Sequence, residues 1–472
     1  MTTPRAEPSS FRDPANAVFY ADGRVLRGLN DKATADWEAV NATKFFPKLL
    51  ADGRVVATRE ADASVVAGLG SDAGWATVLE HDRIPFISYP YEWTFSMLRD
   101  AAILHLEILL EALEEDVTMK DGYAYNVQWR GTSPTFIDTP SFEPAKTIGP
   151  WIGYRQFCQT FLYPMMLQAH KGVSFQPFLR GQVNGLTPIQ MDELMSFRDR
   201  FRKGVFKNIY LHALLERRYS DKSTQDTLDK VKKDKKSTFN TEVQKAVIRK
   251  LLKLSTKLKW KKANSTWSDY LEICSYSDAD AEAKKAFVGK AAASRHRSLG
   301  WDLGCNEGTY TRIAAQHCDQ VIAVDGDDLV VDHLYRSLRE DGTTNILPLV
   351  MDLTDPSPGI GWRNRERRPF TERSKPDLVM TLALLHHLAI AANVPLAEVV
   401  DWLHSFDAEM IVEFVDRPDP MAQRLLANKP PEIHADYDLE HFEKIFTAAF
   451  DVREREELPG GTRVMYHATP RA

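Results

Sequence analysis

Residues 301–308 read Trp301-Asp302-Leu303-Gly304-Cys305-Asn306-Glu307-Gly308. An apolar run ends in an acid, and a glycine-bearing turn follows. A turn of this kind between strand and helix lets the backbone approach a ligand closely, because no Cβ intervenes. The helix that follows points its free N–H groups and positive dipole end at that ligand. The stretch therefore predicts a nucleotide-like cofactor held at the end of a β-strand.

The text around it alternates strand and helix. Strands are predicted at 299–303, 320–325, 346–352, 376–382, 409–415, 449–456 and 462–468. Helix-sized segments separate the first five, which argues a parallel sheet. Leu458-Pro459-Gly460-Gly461 joins the last two as a hairpin, so the sheet should end in an antiparallel pair. The predicted class is α/β, with a Rossmann-like seven-stranded sheet.

Three acids take fixed places on that sheet. Asp302 closes the first strand. Asp325, about 20 residues past the turn, is placed to accept hydrogen bonds from a ribose diol. Asp352 closes the third strand, within reach of an exocyclic amine on adenine. A dinucleotide site would prefer a glycine-rich turn that admits a pyrophosphate. Asp302 and Glu307 instead repel phosphates and suit a cationic sulfonium with its amino group.

Residues 265–470 resemble class I S-adenosylmethionine-dependent methyltransferases. The resemblance rests on 302–308, Asp325, Asp352 and the terminal hairpin. Asn306 stands where that family commonly has glycine, and Asn is the next residue best suited to positive φ. The resemblance implies S-adenosyl-L-methionine as cofactor. Asp302, Gly304 and Gly308 would lie at the methionine end, Asp325 at the ribose, and Asp352 and Leu353 at the adenine, with Asn306 and Gly326 also among the cofactor-binding residues.

The fourth strand runs into Leu384-Leu385-His386-His387. The crevice of an open α/β sheet lies beyond the carboxyl ends of its strands, so these histidines fall near the reacting end. Either is a candidate general base for a hydroxyl or amine acceptor, or a plain wall of the pocket. Glu413, near the end of the fifth strand, is a candidate to bind a cationic group or to orient a histidine. The loop 355–362 with Trp362, and Trp267, Tyr270 and Tyr276 upstream, are pocket walls or ordinary packing.

The N-terminal half carries Asp121, Asn126 and Asp138 in Lys120-Asp121-Gly122-Tyr123-Ala124-Tyr125-Asn126 and Phe136-Ile137-Asp138. Over about twenty residues this resembles the catalytic loop and metal-binding segment of kinase-like phosphotransferases, the aminoglycoside-kinase branch above all. Lys120 and Thr139 depart from that pattern. The helical period over 94–115 precedes it. Asp22-Gly23 and Asp52-Gly53 each read as hairpin turns.

The predicted organisation is a disordered 1–15, a kinase-like or accessory substrate domain at 16–215, a basic helical connector at 216–263, and a methyltransferase domain at 264–472. The 472 residues include four cysteines without zinc or CxxC spacing, so no metal is expected. The net charge of −6 disfavours a nucleic-acid partner. No apolar run reaches membrane length and the first ten residues are polar, so a cytoplasmic protein without a membrane partner is expected. The expected function is methyl transfer to an oxygen or nitrogen of a small-molecule, glycan or natural-product acceptor. A bifunctional kinase–methyltransferase and a non-enzymatic binding protein are the alternatives.

Overall fold

The computed structural model describes residues 4–62, 65, 74–145, 150–220, 241–261, 277–430 and 432–471. The Lys232–Lys236 run and Trp267, Tyr270 and Tyr276 lie outside these residues. The chain divides into two units: Met1–Trp129, Pro134–Lys261 and Gly359–Arg367 form one, and Arg130–Ser133, Lys262–Pro358 and Arg368–Ala472 the other.

The first unit opens on an antiparallel sheet of β1 (Arg5–Ala6), β2 (Asn16–Ala21), β3 (Arg24–Leu29), β4 (Thr58–Glu60) and β5 (Thr77–His81), in the order β1-β2-β3-β5-β4. Residues 5 and 6, expected to be disordered, pair with Tyr20 and Phe19. Edge pairing supplies the backbone partners that the polar text does not announce. Asp22 and Gly23 take φ of 48° and 77° and turn the β2–β3 hairpin. Asp52-Gly53 is a different device: after helix α1 (Asp31–Asn41) it ends helix α2 (Phe45–Ala51), with Gly53 at φ 69° just past the cap. Glycine there closes a helix rather than a hairpin.

Helix α3 (Phe95–Glu114) starts at Thr94, whose hydroxyl accepts from the Met97 N–H. Both faces of α3 are largely buried. His105 on it is fully enclosed among Phe136, Trp151, Phe157 and Phe161. Helix α4 (Thr241–Lys257), inside the basic stretch, packs on α3, and its Lys245 meets Glu114 at 2.7 Å.

The second unit holds α5 (Asp278–Ala293), then β10 (Arg297–Leu303), α6 (Thr309–Ala314), β11 (Cys318–Asp325), α7 (Asp328–Glu340), β12 (Ile346–Val350), β13 (Leu378–Thr381), α8 (Leu396–His404), β14 (Glu409–Val415), α9 (Leu439–Ala449), β15 (Phe450–Glu457) and β16 (Arg463–Pro470). The short strands between β5 and β10 are β6 (Val117–Met119), β7 (Val127–Arg130), β8 (Ser133–Phe136) and β9 (Phe142–Pro144), all near the kinase-like motif.

The large sheet runs β12-β11-β10-β13-β14-β16-β15. The pairs from β12 to β14 are parallel, and β16 enters antiparallel to both its neighbours. Val321-Ile322-Ala323-Val324 is buried throughout, as a strand covered on both faces requires. Val321, Ala323, Leu334, Met380, Ile411 and Met465 share one core under α7 and α5. After the buried Phe450 the edge strand β15 alternates exposed and half-buried residues, and its Arg453, Glu454 and Glu456 discourage pairing with another chain. Sheet reversal between β10 and β13 opens the crevice at the carboxyl ends of the strands.

Candidate active site

The turn after β10 is shaped by three residues at positive φ: Gly304 (89°), Asn306 (48°) and Gly308 (81°). Gly304 and Asn306 line a cavity of about 560 Å³. Gly308 does not, but a Cβ there would stand 2.6 Å from Leu334 Cδ1. Its role is to let α7 close on the turn.

The three predicted carboxylates converge on this cavity, together with Gly326 and Leu353. Asp302 is buried and accepts from the Thr311 hydroxyl at 2.5 Å. Burial raises its carboxyl from the usual 3.8 to about 6, against the hydrogen bond from Thr311 and the charge of Lys284. Asp325 accepts the Asn306 and Asp327 N–H groups, each at 3.0 Å. It holds the turn as well as facing the cavity. Burial raises its carboxyl too, opposed by these backbone bonds. Asp352 is exposed; one oxygen accepts from the Thr354 N–H and hydroxyl at 2.8 and 2.7 Å.

At the other end, His387 lines the cavity and His386 does not. His386 is fully buried, its ring 4.1 Å from that of His387, and neither of its nitrogens has a hydrogen-bond partner. Burial drives His386 well below the usual histidine range and His387 down to about 4. Both rings are therefore neutral at pH 7. Glu413 also lies away from the cavity wall. It is fully buried, meeting Lys284 Nζ at 2.5 Å and Arg463 Nη1 at 3.2 Å.

Sequence reasoning missed three wall residues. Lys284 on α5 is buried, lines the cavity, and sits 4.5 Å from the ring of Tyr310. A single lysine in a charged helix carries no signal of its own; its partner Glu413 is 129 positions away. Tyr310 gave none either. Ala383, at φ 52°, holds a conformation disfavoured for alanine on the cavity wall. Trp362 is exposed, and residues 359–367 group with the first unit.

In the first unit, Asp121 accepts from Gln156 Nε2 at 3.1 Å. Asp138 accepts from Asn126 Nδ2 at 3.3 Å and from Arg27 Nη1 at 3.0 Å. Arg27 also donates to Asn16 Oδ1 at 2.8 Å. Among the described residues, no group of three or more His, Cys, Asp or Glu is arranged to hold a metal ion.

The second unit thus sets parallel strands from β12 to β14, an antiparallel β16–β15 end and the turn that closes β10 around one cavity. No protein-family profile matches the chain. The chain is 33% identical over 461 residues to nodulation protein NoeA of Rhizobium meliloti (strain 1021), spanning 97% of this chain and 94% of that protein. It belongs to the NoeA family. Among solved structures it is similar to the N-methyltransferase NodS of Bradyrhizobium japonicum WM9, at 14% identity and a TM-score of 0.31, over 41% of this chain and 98% of that one. The same NodS with S-adenosyl-L-homocysteine gives 14% identity and 0.32, over 44% and 100%. A SAM-dependent methyltransferase of Aquifex aeolicus gives 16% and 0.28, over 40% and 89%.

Proposed function

We propose that the second unit transfers a methyl group from S-adenosyl-L-methionine to a small-molecule acceptor. One observation carries this: carboxylates from β10, from the end of β11 and from the turn just past β12 line one cavity beside a turn with positive φ at Gly304 and Asn306. The residues fit the cofactor. Asp302 suits its ammonium and sulfonium, Asp325 its ribose hydroxyls, and Asp352 with Leu353 its adenine. Lys284, the buried cation of the wall, suits its carboxylate. When bound, the cofactor supplies an electrophilic methyl group.

The protein's part is alignment and exclusion of water. Leu382, Leu384 and Leu388 make that end of the cavity apolar. His387, uncharged at neutral pH, presents an imidazole to an incoming acceptor without adding positive charge next to a sulfonium. Its depressed basicity suits hydrogen bonding to a hydroxyl or a neutral amine better than full proton removal.

We read the first unit as an accessory that binds acceptor. The guanidinium of Arg27 already engages the Asp138 carboxylate that a nucleotide-bound metal would need. Isothermal titration of the full chain with S-adenosyl-L-homocysteine tests the main reading. Binding is expected, and Asp325→Ala should weaken it at least tenfold. Absence of binding by the folded wild-type chain would overturn the assignment.

A further inference from the structure

A second surface lies outside the cavity, in the first unit. The 3₁₀ turn Phe197–Phe201 and the helical stretch 206–220 expose three phenylalanines: Phe197 is 69% exposed, Phe201 81% and Phe206 51%. They form one continuous cluster. Phe197 packs edge-on against Phe201 at 5.7 Å and 81°. Arg200 spans Phe197 and Tyr210, 5.7 and 4.1 Å from their centroids. Phe206 meets Tyr210 at 5.5 Å.

Cations interleave with these rings. Arg198, Arg202, Lys203, Lys207 and Arg218 are exposed. Between 197 and 218 there are seven Lys and Arg against two Asp and Glu. Both acids are already engaged, Asp199 with Lys171 and Arg202, and Glu216 with Arg155. This concentration of positive charge stands out in a chain whose net charge is −6.

We propose that this cluster docks the protein on the surface of an anionic lipid bilayer. Exposed aromatic rings insert into the acyl boundary, while neighbouring Lys and Arg heads stay at the phosphates and keep their stems in apolar contact. Two features favour a membrane over other partners. Phe197 and Phe201 stand edge-to-face, Phe206 and Tyr210 are tilted by 33°, and Arg200 lies between Phe197 and Tyr210, so the rings offer no row of parallel platforms for stacked bases. Lysine, present here as Lys203 and Lys207, is depleted from protein–protein interfaces but serves attraction to headgroups. Docking would be peripheral, since no described helix is long and apolar enough to cross a membrane. A continuous apolar run is the text that announces a membrane partner; here the apolar residues are single and spaced by charge, and no such run exists to announce one. This inference is independent of the cavity's chemistry.

The test is co-sedimentation of the full chain with phosphatidylcholine vesicles, with and without phosphatidylglycerol. Binding is expected only with the anionic lipid and should weaken with added salt. Phe197→Ser/Phe201→Ser/Phe206→Ser should reduce partitioning at least tenfold. Arg198→Glu/Lys203→Glu/Lys207→Glu should abolish it. All six positions are exposed, so circular dichroism and S-adenosyl-L-homocysteine binding should stay at wild-type levels in both variants. Equal or absent sedimentation with both vesicle types overturns the proposal. So does preferential retention on single-stranded RNA, or a dimer in sedimentation velocity that the phenylalanine variant dissolves.

Discussion

Asp302 combines two demands that oppose each other. It must be charged to attract a cationic ligand, yet burial holds its carboxyl at about 6. Below that pH, binding of a cation requires loss of a proton. Affinity for S-adenosylmethionine should therefore fall as pH drops from 7 to 5, approaching tenfold per unit below 6. Stability moves the other way. The folded value lies above 3.8, so this group's stabilising contribution is complete below about pH 4 and lost as pH rises through about 6. Asp302→Asn should flatten both dependences. Calorimetric titration from pH 5 to 8, and urea unfolding of wild type against Asp302→Asn, measure them. A wild-type affinity that does not change over this range would remove Asp302 from the cation's surroundings. His387, already neutral above about 4, cannot supply a transition near 6.

At the scale of elements, a buried charge network ties α5, β14 and β16 together behind the cavity. Lys284 meets Glu413, Glu413 meets Arg463, and Arg463 meets Asp419 at 2.8 Å. Glu413 thus bridges two cations, Lys284 and the Arg463 it shares with Asp419, in a region with almost no exposure. Removing one partner of such a group costs on the order of 3–5 kcal/mol, whereas removing both partners costs less. Glu413→Gln should lower the unfolding free energy by roughly that amount, and Lys284→Met/Glu413→Gln should recover part of it. A catalytic Glu413 would instead lose activity at unchanged stability; urea unfolding beside a methyl-transfer assay separates the two. This network also marks the limit of what the text could reveal. Asp302, Asp325 and Asp352 were legible because each sits at a strand end next to a period change or a glycine. β14 was legible residue for residue, and β10 and β11 within two residues, because continuous apolar runs announce buried parallel strands. Glu413 was visible as an acid near a strand end, but the cations that enclose it come from 129 and 50 positions away. Asp52-Gly53 misled for a local reason: the same dipeptide satisfies a hairpin or a helix end, and only the seven residues before it decide.

For the molecule as a whole, two units with separate cores share one chain, and a ligand stabilises only the unit that binds it. At a ligand concentration one hundred times its dissociation constant, that stabilisation is about 2.7 kcal/mol. The second unit has roughly 200 residues, for which each kcal/mol shifts the midpoint by about 2–4 °C. Scanning calorimetry of the full chain should then show two transitions, with S-adenosyl-L-homocysteine raising one by about 5–10 °C and leaving the other in place. Magnesium and ATP together should move neither, because Arg27 occupies the Asp138 carboxylate in the first unit. If the nucleotide raises the transition that S-adenosyl-L-homocysteine leaves in place, the first unit binds ATP, and the accessory reading gives way to the bifunctional one. If S-adenosyl-L-homocysteine moves both transitions equally, the units unfold as one cooperative block, and the cavity's ligand is felt across the whole chain.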